Sequence, residues 1–293
     1  MKTTIVTGGA AGIGKETATL FAGRGHRVII ADIDENTADA TAAEIKATGG
    51  TAVPYPLDVR SEDEWGHFAE WVKTQFGPAD ILVNNAGVMD LGGFVDTKPA
   101  AWQRMVDIDL MSAIYGSKAF GQQMIDAGVH GHIVNVASAA AFLPSELDTA
   151  YGVAKAAVLM ATQSLRVEMA PHGIGVTAIC PGAVRTNLLQ HGQRNGIDTD
   201  QIADWSETVG AAQASLAPNS PQKVARRIVR AVDKNWAVLP VGPEAWFIYG
   251  AFRASPALVR ASTSIMRFER LEGLESRFRP LMNRLAQRRE NKR

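Results

Sequence analysis

The chain has 293 residues, long enough to bury a large apolar core in one big domain or two modest ones. Lys plus Arg (30) balance Asp plus Glu (30), so no global basic field exists to draw the protein to nucleic acid, and no nucleic-acid partner is expected. The single cysteine, Cys180, cannot form an intramolecular disulfide, and the apolar run after Met1 is short and β-like, unlike the core of a leader, which points to a cytoplasmic setting. No window approaches the roughly 18 uninterrupted apolar residues that a bilayer span needs, so any membrane contact is expected to be peripheral.

From the N-terminus, runs rich in Val and Ile alternate with longer segments of helical period, the pattern of βαβ units around a parallel sheet. Strands are expected at Thr3 to Val6, Arg27 to Ala31, Ala52 to Leu57, Ile81 to Val83, His132 to Val136, Gly175 to Ile179 and Ala237 to Leu239. Helices are expected at Ile13 to Ala22, Glu35 to Ala47, Glu62 to Phe76, Ala100 to Ile125, Ala150 to Met169 and Pro221 to Asp233. The fold class is therefore α/β, a doubly wound parallel sheet flanked by helices. One continuous domain runs from residue 1 to about 242, and the polar stretch from Asn187 to Asn219 reads as a loop with a short helix at a strand's carboxyl end, the edge where such sheets hold ligands.

The first strand runs straight into Thr7-Gly8-Gly9-Ala10-Ala11-Gly12-Ile13-Gly14 and then a helix. Without side chains at Gly8 and Gly12 the turn can be tight and its backbone can approach a pyrophosphate, which the free N–H groups of the helix start would bind; Gly14 lets helix and strand pack closely. The spacing differs from the common G-x-G-x-x-G fingerprint, but strand, glycine turn, helix and a downstream acid occur together. That acid, Asp32, ends the second strand, where its carboxylate can accept hydrogen bonds from both ribose hydroxyls of an adenosine. A 2′-phosphate there would meet like charge at a cost of roughly 4 kcal/mol per charge pair, so NAD is expected over NADP. In the bland alternative Asp32 is a solvated turn residue beside Asp34, itself a candidate helix N-cap.

Asn84-Asn85-Ala86-Gly87 follows one buried strand and Ser138 follows another. Thirteen residues after Ser138 comes Tyr151-Gly-Val-Ala-Lys155, whose helical period sets phenol and ammonium one turn apart on one face. Free tyrosine titrates near 10, and an adjacent cation is expected to lower that by about one to three units, making Tyr151 a usable acid/base.

Taken together and in order, the glycine motif Thr7 to Gly14, Asn84-Asn-Ala-Gly87, Ser138, Tyr151-x-x-x-Lys155 and Pro181-Gly182 resemble the short-chain dehydrogenase/reductase family, over roughly residues 1 to 242. The resemblance implies a Rossmann-like fold, a nicotinamide-dependent oxidoreductase acting on a small alcohol or ketone, and a homo-oligomer, dimer or tetramer. It implies that Tyr151 exchanges a proton with the substrate oxygen, that Ser138 holds that oxygen, and that Lys155 binds the nicotinamide ribose. The cofactor groove would comprise Gly8, Ala11, Gly12, Ile13, Gly14, Asp32, Asp58 at the adenine with Val59 beside it, and Asn85, Ala86 and Gly87. Pro181, Gly182, the Val184 backbone and the Thr186 hydroxyl would orient the carboxamide. One position departs from the family: Ile108-Asp109-Leu110 stands where the family usually carries Asn. A charged Asp109 near Lys155 would stabilise the ammonium and alter the pH profile; equally, it is a hydrogen-bonded residue with no kinetic role.

The pocket is expected between Asn187 to Asn219, Val88 to Val95 and Ala139 to Thr149, whose apolar members suggest a lipophilic secondary alcohol or ketone. Two rival readings stay open, a cofactor-binding sensor or scaffold without turnover and a nucleotide-sugar epimerase or dehydratase. Cys180 reads as a buried small hydrophobe, and the six histidines show no metal-ligand spacing, so no metal is expected. Residues 243 to 293 form an added helical extension. From 241 to 293 the chain holds 11 Lys/Arg against 5 Asp/Glu, with a patch of Trp246, Phe247, Ile248, Tyr249 and Phe252. Peripheral contact with an anionic membrane, packing on a second subunit and covering the cleft are the three readings of this segment.

Overall fold

Val, Ile and Thr fill the strand positions because β-branched side chains suit a pleated surface buried on both faces. A computed structural model describes residues 1–186, 188, 192–193, 195, 217–255, 257 and 259. In chain order the elements are β1 (Thr3–Thr7), α1 (Gly12–Gly23), β2 (Arg27–Asp32), α2 (Glu35–Ala47), β3 (Thr51–Pro56), α3 (Glu62–Phe76), β4 (Ile81–Asn84) and α4 (Pro99–Met105). There follow a π-helical turn (Val106–Met111), α5 (Ser112–Asp126), β5 (His132–Val136), a 3₁₀ turn (Ala139–Phe142), α6 (Thr149–Met169), β6 (Gly175–Pro181), α7 (Pro221–Lys234), β7 (Val238–Val241) and α8 (Pro243–Ala254).

The seven strands form one parallel sheet in the order β3-β2-β1-β4-β5-β6-β7. Alternate residues face opposite layers, so Val6, Val28, Ile30 and Val83 pack beneath α1, α2 and α7. Ile5, Ile29, Leu82 and Ile133 face Trp65, Phe68, Phe120 and Met124 on α3 and α5. Phe68 and Phe120 meet edge-on with centroids 5.6 Å apart and are fully buried; truncating either to Ala would cost about 3–5 kcal/mol. Pro54 and Pro56 sit in β3, an edge strand, where a missing N–H breaks no ladder.

The chain winds outward from β1 through β2 to β3, then crosses back to β4 on the other side of β1. The reversal opens a crevice at the carboxyl ends of β1 and β4, where ligands bind in sheets of this kind.

The expected strands all form, with ends shifted by a residue or two. The single helix expected over Ala100 to Ile125 is corrected: it divides into α4, the π turn and α5. A π turn carries an extra residue, which no 3.6-residue apolar period reveals, and it lies where Asp109 faces a buried lysine.

Candidate active site

Thr7 ends β1, and the turn into α1 passes through Gly8 (φ 58°) and Gly12 (φ 53°), both left-handed. A Cβ on Gly14 would collide with the Gly8 carbonyl, so this residue must be glycine for helix and turn to pack. A Cβ on Gly12 would meet only Thr186, at 3.6 Å from Cγ2. No side chain caps α1 and no acid lies in its first turn, so the first amides stay available and the positive end of the helix dipole faces the crevice. The Thr7 hydroxyl accepts from the amides of Asn85 (3.0 Å) and Ala86 (3.1 Å), while the Asn85 amide group donates to the carbonyls of Thr7 and Gly8. The loop after β4 is thereby fastened to the glycine turn.

The two acids at the end of β2 and just beyond it separate in role. Asp34 caps α2, accepting from the Thr37 amide at 3.1 Å, whereas Asp32 accepts from the amides of Ala10 (3.0 Å) and Asp34 (3.2 Å) and so lies against the glycine turn. Asp58 is gripped by Arg60, whose Nε lies 2.9 Å from one carboxylate oxygen, and this contact holds its carboxyl below the usual range. The neighbouring Val59 carbonyl accepts from the Trp65 indole. Beyond β6 the Gly182 amide donates to the Val241 carbonyl, Val184 bridges to Asn219, and Thr186 faces Gly12 across the groove. Uncapped amides, the absence of a side chain at Gly12 and a carboxylate beside the turn together fit a dinucleotide.

At the ends of β5 and α6 the acid/base candidates meet. The Ser138 hydroxyl accepts from the Ala140 amide at 3.2 Å and favours ionisation of the nearby Tyr151 phenol. One turn along α6, the Lys155 ammonium lies 5.6 Å from the Tyr151 ring centre and donates to the Val136 carbonyl at 3.1 Å. Its charge partner is Asp109 Oδ1 at 2.9 Å, with both side chains buried (5% and 0% exposed). The other Asp109 oxygen faces the Val88 amide at 3.4 Å, and Gly87 packs directly on the pair.

These neighbours correct the expectation for the phenol. Burial pushes Tyr151 above its ordinary value of 10; Lys155 pulls it down, but Asp109 and Asp148 push it up again. For Lys155, burial alone would lower the ammonium's affinity for its proton, but the Asp109 carboxylate and the phenol outweigh burial and the net shift is upward. Burial raises the Asp109 carboxyl against the opposing pull of Lys155. Cys180 is buried and its thiol is pushed up to about 12, in keeping with a small hydrophobe.

Parts of the three expected pocket segments are brought together. Leu91 exchanges backbone hydrogen bonds with Gln193 and Asn195, and the Gly92 amide donates to the Leu147 carbonyl at 2.7 Å. Asp90 is buried between the Arg104 guanidinium (2.5 Å) and the Gln193 amide (2.6 Å), tying the loop after β4 to residue 193. Most of the stretch from Asn187 to Asn219 lies outside the described residues. So does most of the expected helical extension beyond 255. Its described part, α8, packs Tyr249 and Phe252 on Phe142, three residues past Ala139, and leaves Trp246 and Phe247 exposed.

Sequence reasoning missed three supports. Thr7 entered it only as part of a motif, although its hydroxyl ties two loops. Asn84, Asn135, Ser117 and Thr162 form a buried polar chain that pins α5 and α6 to the sheet behind Lys155. Glu244 of α8 accepts from Asn219 at 2.5 Å and crowds Gly182, joining the extension to the loop after β6. A buried Asn in an otherwise apolar strand was the available signal.

Comparison with known proteins bears on this geometry. A short chain dehydrogenase family model matches residues 2–195. The probable oxidoreductase EphD of Mycobacterium tuberculosis is 41% identical over 262 residues, which is 89% of this chain but 44% of that protein, so the chain spans less than half the length of this relative. Cyclopentanol dehydrogenase of a Comamonas species is 32% identical over 251 residues, covering 85% of this chain and 93% of that one. A short chain dehydrogenase/reductase from Burkholderia phymatum, solved in complex with NAD, superposes with a TM-score of 0.78 over 86% of this chain and 92% of its own; at 24% identity that likeness is one of fold. Among the described residues no helix is long and apolar enough to cross a membrane. A parallel sheet of Rossmann type, a Ser-Tyr-Lys cluster beside a glycine cradle and these likenesses converge: the chain belongs to the short-chain dehydrogenase/reductase family.

Proposed function

We propose that this protein transfers hydride between NAD and a lipophilic secondary alcohol or ketone, with residues 1–242 as the catalytic domain. The observation that carries the reading is the Tyr151 phenol, set between Ser138 and Lys155 at the same sheet edge as the uncapped start of α1. NAD supplies or accepts the hydride when bound. Gly8, Ala11, Gly12, Ile13 and Gly14 would hold its pyrophosphate through backbone amides, Asp32 its adenosine ribose, and Asn85, Ala86 and Gly87 would line the adenosine side. Asp58 and Val59 would flank the adenine, and Pro181, Gly182, Val184 and Thr186 would hold the carboxamide. Asp32 supports NAD over NADP because its carboxylate already accepts two amides beside the glycine turn and would repel a 2′-phosphate.

Ser138 holds the substrate oxygen by hydrogen bonding, and Tyr151 gives that oxygen its proton during reduction or removes it during oxidation. Lys155 orients the nicotinamide ribose and keeps its own proton through Asp109 and the Val136 carbonyl. The lipophilic substrate class is supported by the aromatic residues of the expected pocket segments, where Phe94 stacks edge-on against Trp102 (5.2 Å). A homo-oligomer is supported by Val153, Met160 and Val167, exposed apolar residues at seven-residue spacing along α6.

Tyr151→Phe tests the reading. With turnover of an alcohol and ketone panel followed by NADH absorbance, the variant should lose about a hundredfold or more in rate while still binding NADH. Near-wild-type turnover would overturn the mechanism.

A further inference from the structure

The site holds a second charge relationship that the proton-transfer role of Tyr151 does not require. Asp109 and Lys155 form a buried ion pair at 2.9 Å, on different elements, with their side chains 0% and 5% exposed. The carboxylate reaches the lysine because it lies on the π-helical turn, and Gly87 makes room: a Cβ there would come within 2.6 Å of Asp109 Oδ1 and 3.3 Å of Lys155 Nζ. We propose that Asp109 is a positioning residue that withholds the charge of Lys155 from Tyr151, so that the site stays in its proton-donating form at neutral pH, reducing carbonyls there and oxidising alcohols only under alkaline conditions.

An ammonium beside a phenol favours the phenolate; a carboxylate at the far side of that ammonium cancels most of the effect and adds repulsion of its own. The other charged groups around the cluster act the same way. Asp148, just ahead of Tyr151 on α6, opposes a phenolate, and Asp90 on the loop after β4 has its charge taken up by Arg104 of α4. From β5 and the loop that follows come only neutral groups, the Val136 carbonyl and the Ser138 hydroxyl, of which the carbonyl also favours ammonium. Among the described residues Lys155 is thus the one cation facing the phenol, and its charge is already matched.

This inference rests on Tyr151 being the acid/base. In Asp109→Asn, which keeps the shape and loses the charge, the rise of kcat/KM for alcohol oxidation with pH should move about one pH unit or more to lower pH, raising oxidation near neutrality about tenfold, and the loss of reduction at high pH should move with it. A residue with a purely structural role would lower rates evenly across pH and leave both limbs in place; superimposable profiles overturn the proposal. A second readout needs neither cofactor nor turnover. The ultraviolet difference titration of ligand-free wild type against Tyr151→Phe should show no Tyr151 phenolate below about pH 10. Ionisation of Tyr151 near neutrality overturns the proposal even if Asp109→Asn does not fold. Full activity in Tyr151→Phe would sink the functional reading itself, whereas an inactive Tyr151→Phe with an unmoved Asp109→Asn profile sinks only this inference.

Discussion

Two glycines in the α1 turn should answer differently to the same added methyl group. Gly12 has a left-handed backbone, where an L-residue costs roughly 1–2 kcal/mol, but its Cβ would have only Thr186 near it, at an ordinary 3.6 Å. Gly12→Ala should therefore fold with a Tm lowered by only a few degrees. The same methyl group would occupy the groove in front of the uncapped amides, so NADH affinity, followed by fluorescence titration, should fall at least about tenfold. Gly14 is not in the left-handed region, and alanine there gains about 1 kcal/mol of helix propensity. Its Cβ, however, would strike the Gly8 carbonyl, a backbone atom with no rotamer to escape into, and come within 2.7 Å of Asn85 Nδ2. Overpacking of this kind costs about 1–3 kcal/mol and shifts the whole turn, so Gly14→Ala should lose both stability and NADH binding. Wild-type NADH affinity in Gly12→Ala would refute the groove as the cofactor site. Wild-type stability in Gly14→Ala would refute the packing argument.

Asp32→Asn should narrow the preference for NAD over NADP by about two to three orders of magnitude, measured as the ratio of kcat/KM values; an unchanged ratio would assign Asp32 to the turn alone. His132 predicts an acid limit to stability. Burial, with a smaller contribution from Arg166, lowers its pKa from 6.5 to about 4, and Nε2 must carry the hydrogen it shares with Thr177 because the Thr177 hydroxyl donates to the Trp236 carbonyl. The unfolded chain then binds the extra proton between pH 6.5 and 4, so stability is full above 6.5 and falls by about 3 kcal/mol on reaching 4; urea unfolding of His132→Asn should lack that component of the pH slope, and parallel slopes would refute the assignment.

The alternation of Val- and Ile-rich runs with helical segments was enough to recover the sheet, because each strand is buried on both faces and little else in the chain looks like it. The glycine turn was legible for a related reason: glycine is favoured at Gly8, Gly12 and Gly14, for two different causes, and those causes leave the same letter in the sequence. Thr7 was less legible because a hydroxyl that accepts from two amides across β1 and β4 leaves no periodic trace. The helix break before Ser112 was invisible, since a π turn keeps helical composition and displaces the period by one residue.

The Tyr151 and Lys155 pair shows where spacing stops being informative. Four residues along a helix fix that phenol and ammonium share a face, and the structure places them so. The direction of the resulting shift is another matter, because it is a sum over burial and every nearby charge. Spacing supplies Lys155, the larger of the two contributions that lower Tyr151, the other coming from Ser138. Burial against the end of β5 and the carboxylate of Asp109, from an element far away in sequence, supply those that raise it. A lysine that would activate the phenol in isolation is here already committed to an acid. The same four-residue motif can therefore leave the phenol ionised or neutral at pH 7, depending on whether the residue facing the lysine carries a charge. In this chain that residue is Asp109, whose carboxylate opposes the lysine's pull on the phenol.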